Sequence, residues 1–528
     1  RWAGPLAAFA ATLLLTLHVA QLWFARYPNS DIVMQAGVFA ALLAFARAHQ
    51  DDDAFFAPVA AWLLTQQLFS RVEALVAIAL LLGSALLYWI STTSSRFRWS
   101  FVIPMLVGTA AGWLYLSQLM RPYFWRVDMF ISKLPVTELM TGLGVGLLAI
   151  LLARAMRRRW ATHIERVTPW ATAAILIGLA LYAYFLREPG GTLTEFDAHA
   201  LRDFVTVYLG WPMFAAVLAG LAFVWPKHFW RDPTFLVTLG GFSIFLFRKL
   251  YIVPEHFWMA RRFLPVILPG MLILGSAALL GPWPVPRTRL GLTRVVGGLA
   301  VLLFVGSGYL TAAAPLAPHV EYRNIIPYLE RLAGQFSERD LVLVESRNTG
   351  SDLHVLALPL AYIYAKPVLV LHSVTPDPQQ VRGFVEYALR TYDRVLFVGT
   401  GGTSLLSREL QATPLSSDRV QIDEFEVTTD RLPREVLQKE FDYGIYQLTL
   451  DAGSAGPFIL DVGERDDLHV VRTHAKEMTE GRTIRWTQDA SEIAVTGLGG
   501  HEREVVLTMS DGGRPAAAVA AQVNVMFN

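Results

Sequence analysis

The stretch ALVAIALLLGSALLYWIST, Ala74–Thr92, carries no charged residue from end to end. A run of that length and apolarity satisfies the requirement for crossing a bilayer, about 20 residues at 1.5 Å each against roughly 30 Å of hydrocarbon. Similar runs lie on both sides of it. Working outward, the candidate spans are 2–22, 31–48, 54–70, 74–92, 100–118, 138–155, 168–186, 205–224, 234–251, 262–282 and 293–312. That predicts a polytopic α-helical membrane bundle of about eleven spans over residues 1–312.

Composition agrees with that class. Of the 528 residues 54% are hydrophobic and 17% charged, against about 25% charged in ordinary soluble proteins. Mean hydropathy is +0.40. The net charge of +1 gives no reason to expect nucleic acid. It hides a split, with most acidic residues after about residue 320. There is no cysteine, which excludes disulfides, thiolate nucleophiles and cysteine-ligated metal.

Beyond 312 the pattern changes. Leu341–Val344, Val368–Leu371 and Val395–Val398 are short buried-type strands separated by helical segments, one of them opened by Pro376-Asp377-Pro378. This predicts a small α/β domain over 313–414. From 415 to 528 short alternating segments separated by Gly and Asp turns predict a C-terminal β-sandwich, truncated at the end of the chain.

Orientation is read from basic loop residues. The densest cluster, Arg154, Arg157, Arg158, Arg159 and Arg166, is placed in the cytoplasm. Alternation then puts loops 119–137, 187–204 and 252–261, and everything after 312, outside. The outer side carries Arg121, Arg126, Lys133, Arg187, Arg202, Arg261 and Arg262.

Four stretches hold candidate chemistry. Arg26-Tyr27-Pro28-Asn29-Ser30-Asp31 lies at the outer end of a span, where Arg26 and Asp31 would line a pocket. The alternative is a helix start with Ser30 as N-cap and Asp31 against the helix dipole. Arg71 and Glu73 sit between two spans with almost no loop; buried charge there faces a cavity or pairs, or Arg71 snorkels and pairs with Glu73 at the interface. Pro254 to Pro265 contains His256, Trp258, Arg261 and Arg262. Guanidinium forks match phosphate oxygens bidentately, whereas the alternative role is anchoring to anionic headgroups. Gly399-Thr400-Gly401-Gly402-Thr403-Ser404 follows a strand, as phosphate-cradling turns do. It lacks the third glycine of the dinucleotide fingerprint and the P-loop lysine, and a tight turn in a small α/β layer is the favoured reading. Asp51-Asp52-Asp53 reads as a solvated loop.

Three of these stretches resemble motifs of the GT-C glycosyltransferases, in particular the bacterial protein-mannosyltransferase and aminoarabinose-transferase type. Arg26–Asp31 resembles an Arg-x-Pro-x-Ser-Glu element with Asp in place of Glu. Phe69–Leu75 resembles a Thr/Ser-Arg-x-Glu turn, and Trp258–Pro265 an Arg-Tyr/Phe-x-x-Pro helix start. Gly481–Thr487 resembles part of a β-domain that ends such proteins. The resemblance implies a multi-pass enzyme of the bacterial inner membrane with its C-terminal domain extracytoplasmic. It would move a sugar from a polyprenyl-phosphate donor to an acceptor hydroxyl on a glycan, lipid or protein, with no nucleic acid involved and no cofactor implied, the use of a divalent metal staying open. Arg261, Arg262, Arg71 and His256 would bind the donor phosphate, supported by Arg26 and Glu73. The family's catalytic carboxylate lies in the first outer loop. Since this chain starts at Arg1 inside an apolar run, the expectation is a fragment lacking the N-terminal spans and that base, with Asp31 the only in-chain candidate. The competing expectation is a transporter or flippase of lipid-linked glycans, which would show inverted repeats and broken helices.

Overall fold

The computed structural model describes residues 3–27, 29–91, 99–125, 162–163, 165–191, 193–250, 252–281, 289–400, 410–450, 460–463, 466, 470–479, 482–493 and 504–510. The chain forms two compact units. One comprises Arg1–His319 with Phe425–Val436, the other Val320–Glu424 with Leu437–Asn528.

The first unit is helical. It opens with α1 (Pro5–Leu17) and α2 (Val19–Ala25), α3 (Ser30–Gln50), α4 (Phe56–Thr65), α5 (Ala74–Ser91) and α6 (Trp99–Gln118). Later come Glu165–Leu186, Glu195–Leu209, Trp211–His228, Pro233–Arg248, Ile267–Leu280 and Arg289–Ala313.

The expectation of about eleven spans is overturned. Among the described residues four helices are long and apolar enough to cross a membrane: Ser30–Gln50, Trp99–Gln118, Glu165–Leu186 and Thr293–Ala313. The number rises to six if two bent pairs each count as one span. Apolar runs were longer than the helices they form. The run 54–70 yields α4 and then a 3-10 turn, Gln66–Phe69. The runs 234–251 and 262–282 yield helices of 16 and 14 residues. At 1.5 Å per residue these reach only about 24 and 21 Å. The expected span 138–155 and the cluster Arg154–Arg159 lie outside the described residues.

The two breaks have local causes. Between α1 and α2 the chain bends by 66° at His18. Its backbone is extended, its Nδ1 accepts the Ala20 N–H at 3.2 Å, and its Nε2 lies 3.0 Å from the Tyr208 carbonyl oxygen. The second pair bends by 111° at Gly210, whose φ of 81° suits glycine, just ahead of Pro212 in the next helix's first turn. Glycines also permit close helix approach, as small residues do in membrane proteins. A Cβ at Gly112 of α6 would lie 2.7 Å from Leu68 Cβ.

The second unit is built on β1 (Asp340–Val344), β2 (Val368–Val370), β3 (Arg394–Gly399), β4 (Gln411–Phe425) and β5 (Val436–Thr449) in the order β2-β1-β3-β5-β4. β1 pairs in parallel with β2 and β3 (Val342 with Val368 and Leu396), and β3 pairs antiparallel with β5 (Phe397 with Tyr446). Strand alternation sorts β1 onto two faces. Val342 and Val344 pack with Tyr328, Leu332, Leu356 and Leu360. Leu341 and Leu343 pack with Val381, Val385 and Tyr446.

The predicted C-terminal β-sandwich is therefore also corrected. β4 and β5 extend the parallel strands within one mixed sheet, because β3 offers a free edge. A separate antiparallel pair, β6 (Val470–Thr479) with β7 (Arg482–Ile493), follows. Alternation identifies strands but not their partners.

Candidate functional site

Three segments far apart in sequence bring five charged side chains together in the helical unit. Asp31 stands in the first turn of α3. The N-cap there is Asn29 rather than Ser30, its side chain accepting the Asp31 N–H at 2.8 Å. Arg71 and Glu73 occupy the break between the Gln66–Phe69 turn and α5. Arg71 N–H donates to the Gln67 carbonyl at 2.8 Å, which folds the chain back at that point. Arg261 and Arg262 end a 3-10 turn, Trp258–Arg262.

The carboxylates share three guanidinium groups. Asp31 accepts from Arg71 Nη1 and, at 2.8 Å, from Arg261 Nε. Glu73 accepts from Arg71 Nη2 at 3.0 Å, from Arg71 Nε at 3.3 Å and from Arg262 Nη1. Arg71 thus bridges both acids. Consecutive residues on a tight turn diverge, and Arg261 and Arg262 accordingly reach different carboxylates of the same cluster. The side chain of Asp31 is 0% exposed and that of Arg71 7%, whereas Glu73, Arg261 and Arg262 are 20–22% exposed. The Arg261 guanidinium also lies 4.1 Å from the Trp258 ring centroid, a cation–π contact. Burial opposes ionisation of Glu73, but Arg71 and Arg262 outweigh it and hold the carboxyl below its ordinary range.

Among the described residues three guanidinium groups converge on these two carboxylates. Part of the cluster is open, and its arginines are already oriented by the acids. Guanidinium forks fixed in this way can receive the oxygens of an anion. Asp31, held on both oxygens and fully buried, orients arginines; it is not placed as a free base.

His256 and Arg26 are used otherwise. His256 is 3% exposed, with Nδ1 2.6 Å from the Tyr208 hydroxyl. Burial pushes its imidazole down to about 4, against the opposing pull of Asp430 and a hydrogen bond to the Thr429 backbone. A neutral ring brings no charge to a phosphate. Arg26 donates to the carbonyls of Leu316 at 2.8 Å, His319 at 3.0 Å and Ala317 at 3.2 Å. It caps the chain leaving helix Arg289–Ala313.

The other sequence candidates lie apart from this cluster or are described only in part. Of the glycine-rich stretch, Gly399 and Thr400 are described and 401–404 lie outside the described residues. The buried Glu345 carboxylate accepts the Thr400 N–H at 2.8 Å and its hydroxyl at 2.7 Å. In the Asp51–Asp53 loop, Asp53 caps the Phe55 N–H at 3.0 Å. Among the described residues no group of three or more His, Cys, Asp or Glu could hold a metal. An apolar cavity of about 250 Å³ lies between α1, α3 and Ile267–Leu280, lined by Leu15, Gln35, Phe39 and Ile273 among others.

Sequence reasoning missed Tyr208, Phe425 and Thr428, which surround the turn carrying the arginines. No local pattern marks them, since their roles arise from packing alone. Comparison with protein-family models and with curated proteins finds no match for this chain.

Proposed function

We propose that the protein is a membrane glycosyltransferase that moves a sugar from a polyprenyl-phosphate donor to an acceptor hydroxyl on the extracytoplasmic face of a bacterial inner membrane. The observation that carries this reading is the convergence of Arg71, Arg261 and Arg262 at one partly exposed cluster, their guanidinium groups oriented by Asp31 and Glu73. In the reaction the bond between the sugar's anomeric carbon and the phosphate oxygen breaks, and a bond to the acceptor oxygen forms. The acceptor proton passes to a carboxylate base, and polyprenyl phosphate leaves. Negative charge grows on the departing phosphate, where fixed guanidinium groups in a water-poor setting stabilise it without reorganising. Asp31 and Glu73 orient those groups. Helices able to cross a membrane provide a setting for a lipid-borne donor.

The test is transfer from a polyprenyl-phosphate-linked sugar in membranes holding the protein. Wild type should transfer, and Arg71→Ala should reduce the rate at least about a hundredfold, roughly the loss of two charge-assisted contacts. A second reading, transport of lipid-linked glycans, draws on the two broken helix pairs. Movement of the glycan lipid between leaflets without any transfer would favour it and sink the first.

A further inference from the structure

The turn Trp258–Arg262 is five residues of 3-10 helix, a length that does not hold itself in place. Much of its support comes from a segment more than 160 residues away, Phe425–Val436, which belongs to the helical unit although the strands leading to it belong to the sheet unit. Phe425 is 3% exposed. Its ring lies 5.6 Å from Trp23, 6.2 Å from Phe257 in a stacked arrangement and 5.3 Å from His319. The Thr428 carbonyl accepts the His256 N–H at 2.8 Å, and Leu432 packs against the helical core.

The segment is also closed on itself. Glu426 takes both terminal nitrogens of Arg431 at 2.7 and 2.9 Å, together with the backbone N–H of Arg434 and, at 3.2 Å, that of Glu435. Its own N–H donates to the Glu435 carbonyl at 3.0 Å. Such a latched loop presents Phe425 and Thr428 as a fixed surface. Both grip residues 256 and 257, immediately before the turn, and neither is among the partners of Asp31 or Glu73.

We propose that Phe425 is a positioning residue for the arginine turn, acting through Phe257 and His256 to hold Arg261 and Arg262 over the acidic pair. This rests on the reading that those arginines bind the donor phosphate. The test uses the full chain in detergent with a short-chain polyprenyl monophosphate as probe. It measures the dissociation constant and the deuterium uptake of a peptide spanning 254–264. Phe425→Ala and Glu426→Ala should each weaken binding by at least about tenfold and raise uptake in that peptide. Phe425→Tyr, which keeps the ring, should stay near wild type.

A cycle separates positioning from general loss of stability. Added to Arg261→Ala/Arg262→Ala, Phe425→Ala should weaken binding no further, whereas an additive loss would overturn the positioning role. Unchanged affinity in Phe425→Ala, with binding lost in the double arginine variant, overturns it while leaving the phosphate site standing. Unchanged affinity in the arginine variant overturns the site itself, and the positioning role with it. If Phe425→Ala fails to accumulate, Glu426→Ala decides by the same criteria.

Discussion

Arg71 is the residue through which Asp31 and Glu73 become one site. One guanidinium spans both carboxylates, with Nη1 on Asp31 and Nε and Nη2 on Glu73. An ammonium is a single point of charge and cannot reproduce that fork. Arg71→Lys should therefore keep the net charge, release one acid, and lower transfer at least about tenfold, the value of one charge-assisted hydrogen bond. Steady-state rates at matched membrane abundance check this, and a rate within twofold of wild type would show that bridging is not needed. All five charged positions stood out in sequence, and the Arg71–Glu73 pair was legible there, because charge beside an apolar run demands a partner. The long-range partners were not legible: Asp31 lies 40 positions from Arg71 and 230 from Arg261. His256 and Arg26 carried the same sequence signal as the others. Their partners, Tyr208 and the carbonyls after Ala313, divert them to structural work.

The turn carrying Arg71 is held by its neighbours. Gly112 of α6 lets that helix approach Leu68, three residues before Arg71. Gly112→Ala would place a Cβ 2.7 Å from the Leu68 Cβ. That atom is not the end of a flexible chain, so the turn must shift. The expected outcome is a loss of about 1–3 kcal/mol of stability from overpacking, with reduced anion affinity, read by thermal unfolding and binding on the same sample. Gly83→Ala, where the added Cβ would meet open space, should be neutral. In the sheet unit, β1 begins at Asp340, which takes Arg394 in two hydrogen bonds of 2.9 and 2.6 Å. Burial opposes ionisation of Asp340, but Arg394 and the Ser337 N–H outweigh it, so its carboxyl lies below the ordinary value of 3.8. The folded form binds the proton less tightly than the unfolded chain. The stabilisation is therefore complete above pH 3.8 and is lost as pH falls through the lower folded value. Denaturant midpoints of the sheet unit should drop in that acid window for wild type and not for Asp340→Asn, already weaker at neutral pH. An identical acid slope in both would contradict this. β1 and β3 were readable as short continuous apolar runs, the pattern of strands buried on both faces. The sheet order was not, since β4 and β5 follow more than ten residues after β3 and alternation says nothing of which edge they join.

At the scale of the molecule, hydropathy identified a chain with helices fit for a membrane and overcounted them. Residues such as His18 and Gly210 break apolar runs that composition joins. The central claim is that the five-residue cluster, through its oriented arginines, binds a lipid-borne phosphate. The most direct measurement compares the affinity of a polyprenyl monophosphate with that of the corresponding polyprenol, which has the same chain and no charge. Wild type should prefer the phosphate by at least about tenfold. The preference should shrink with added salt, as it does for partly exposed charge, and vanish in Arg261→Ala/Arg262→Ala. Equal affinity for the two lipids in wild type, or a preference that survives loss of both arginines, would contradict the account.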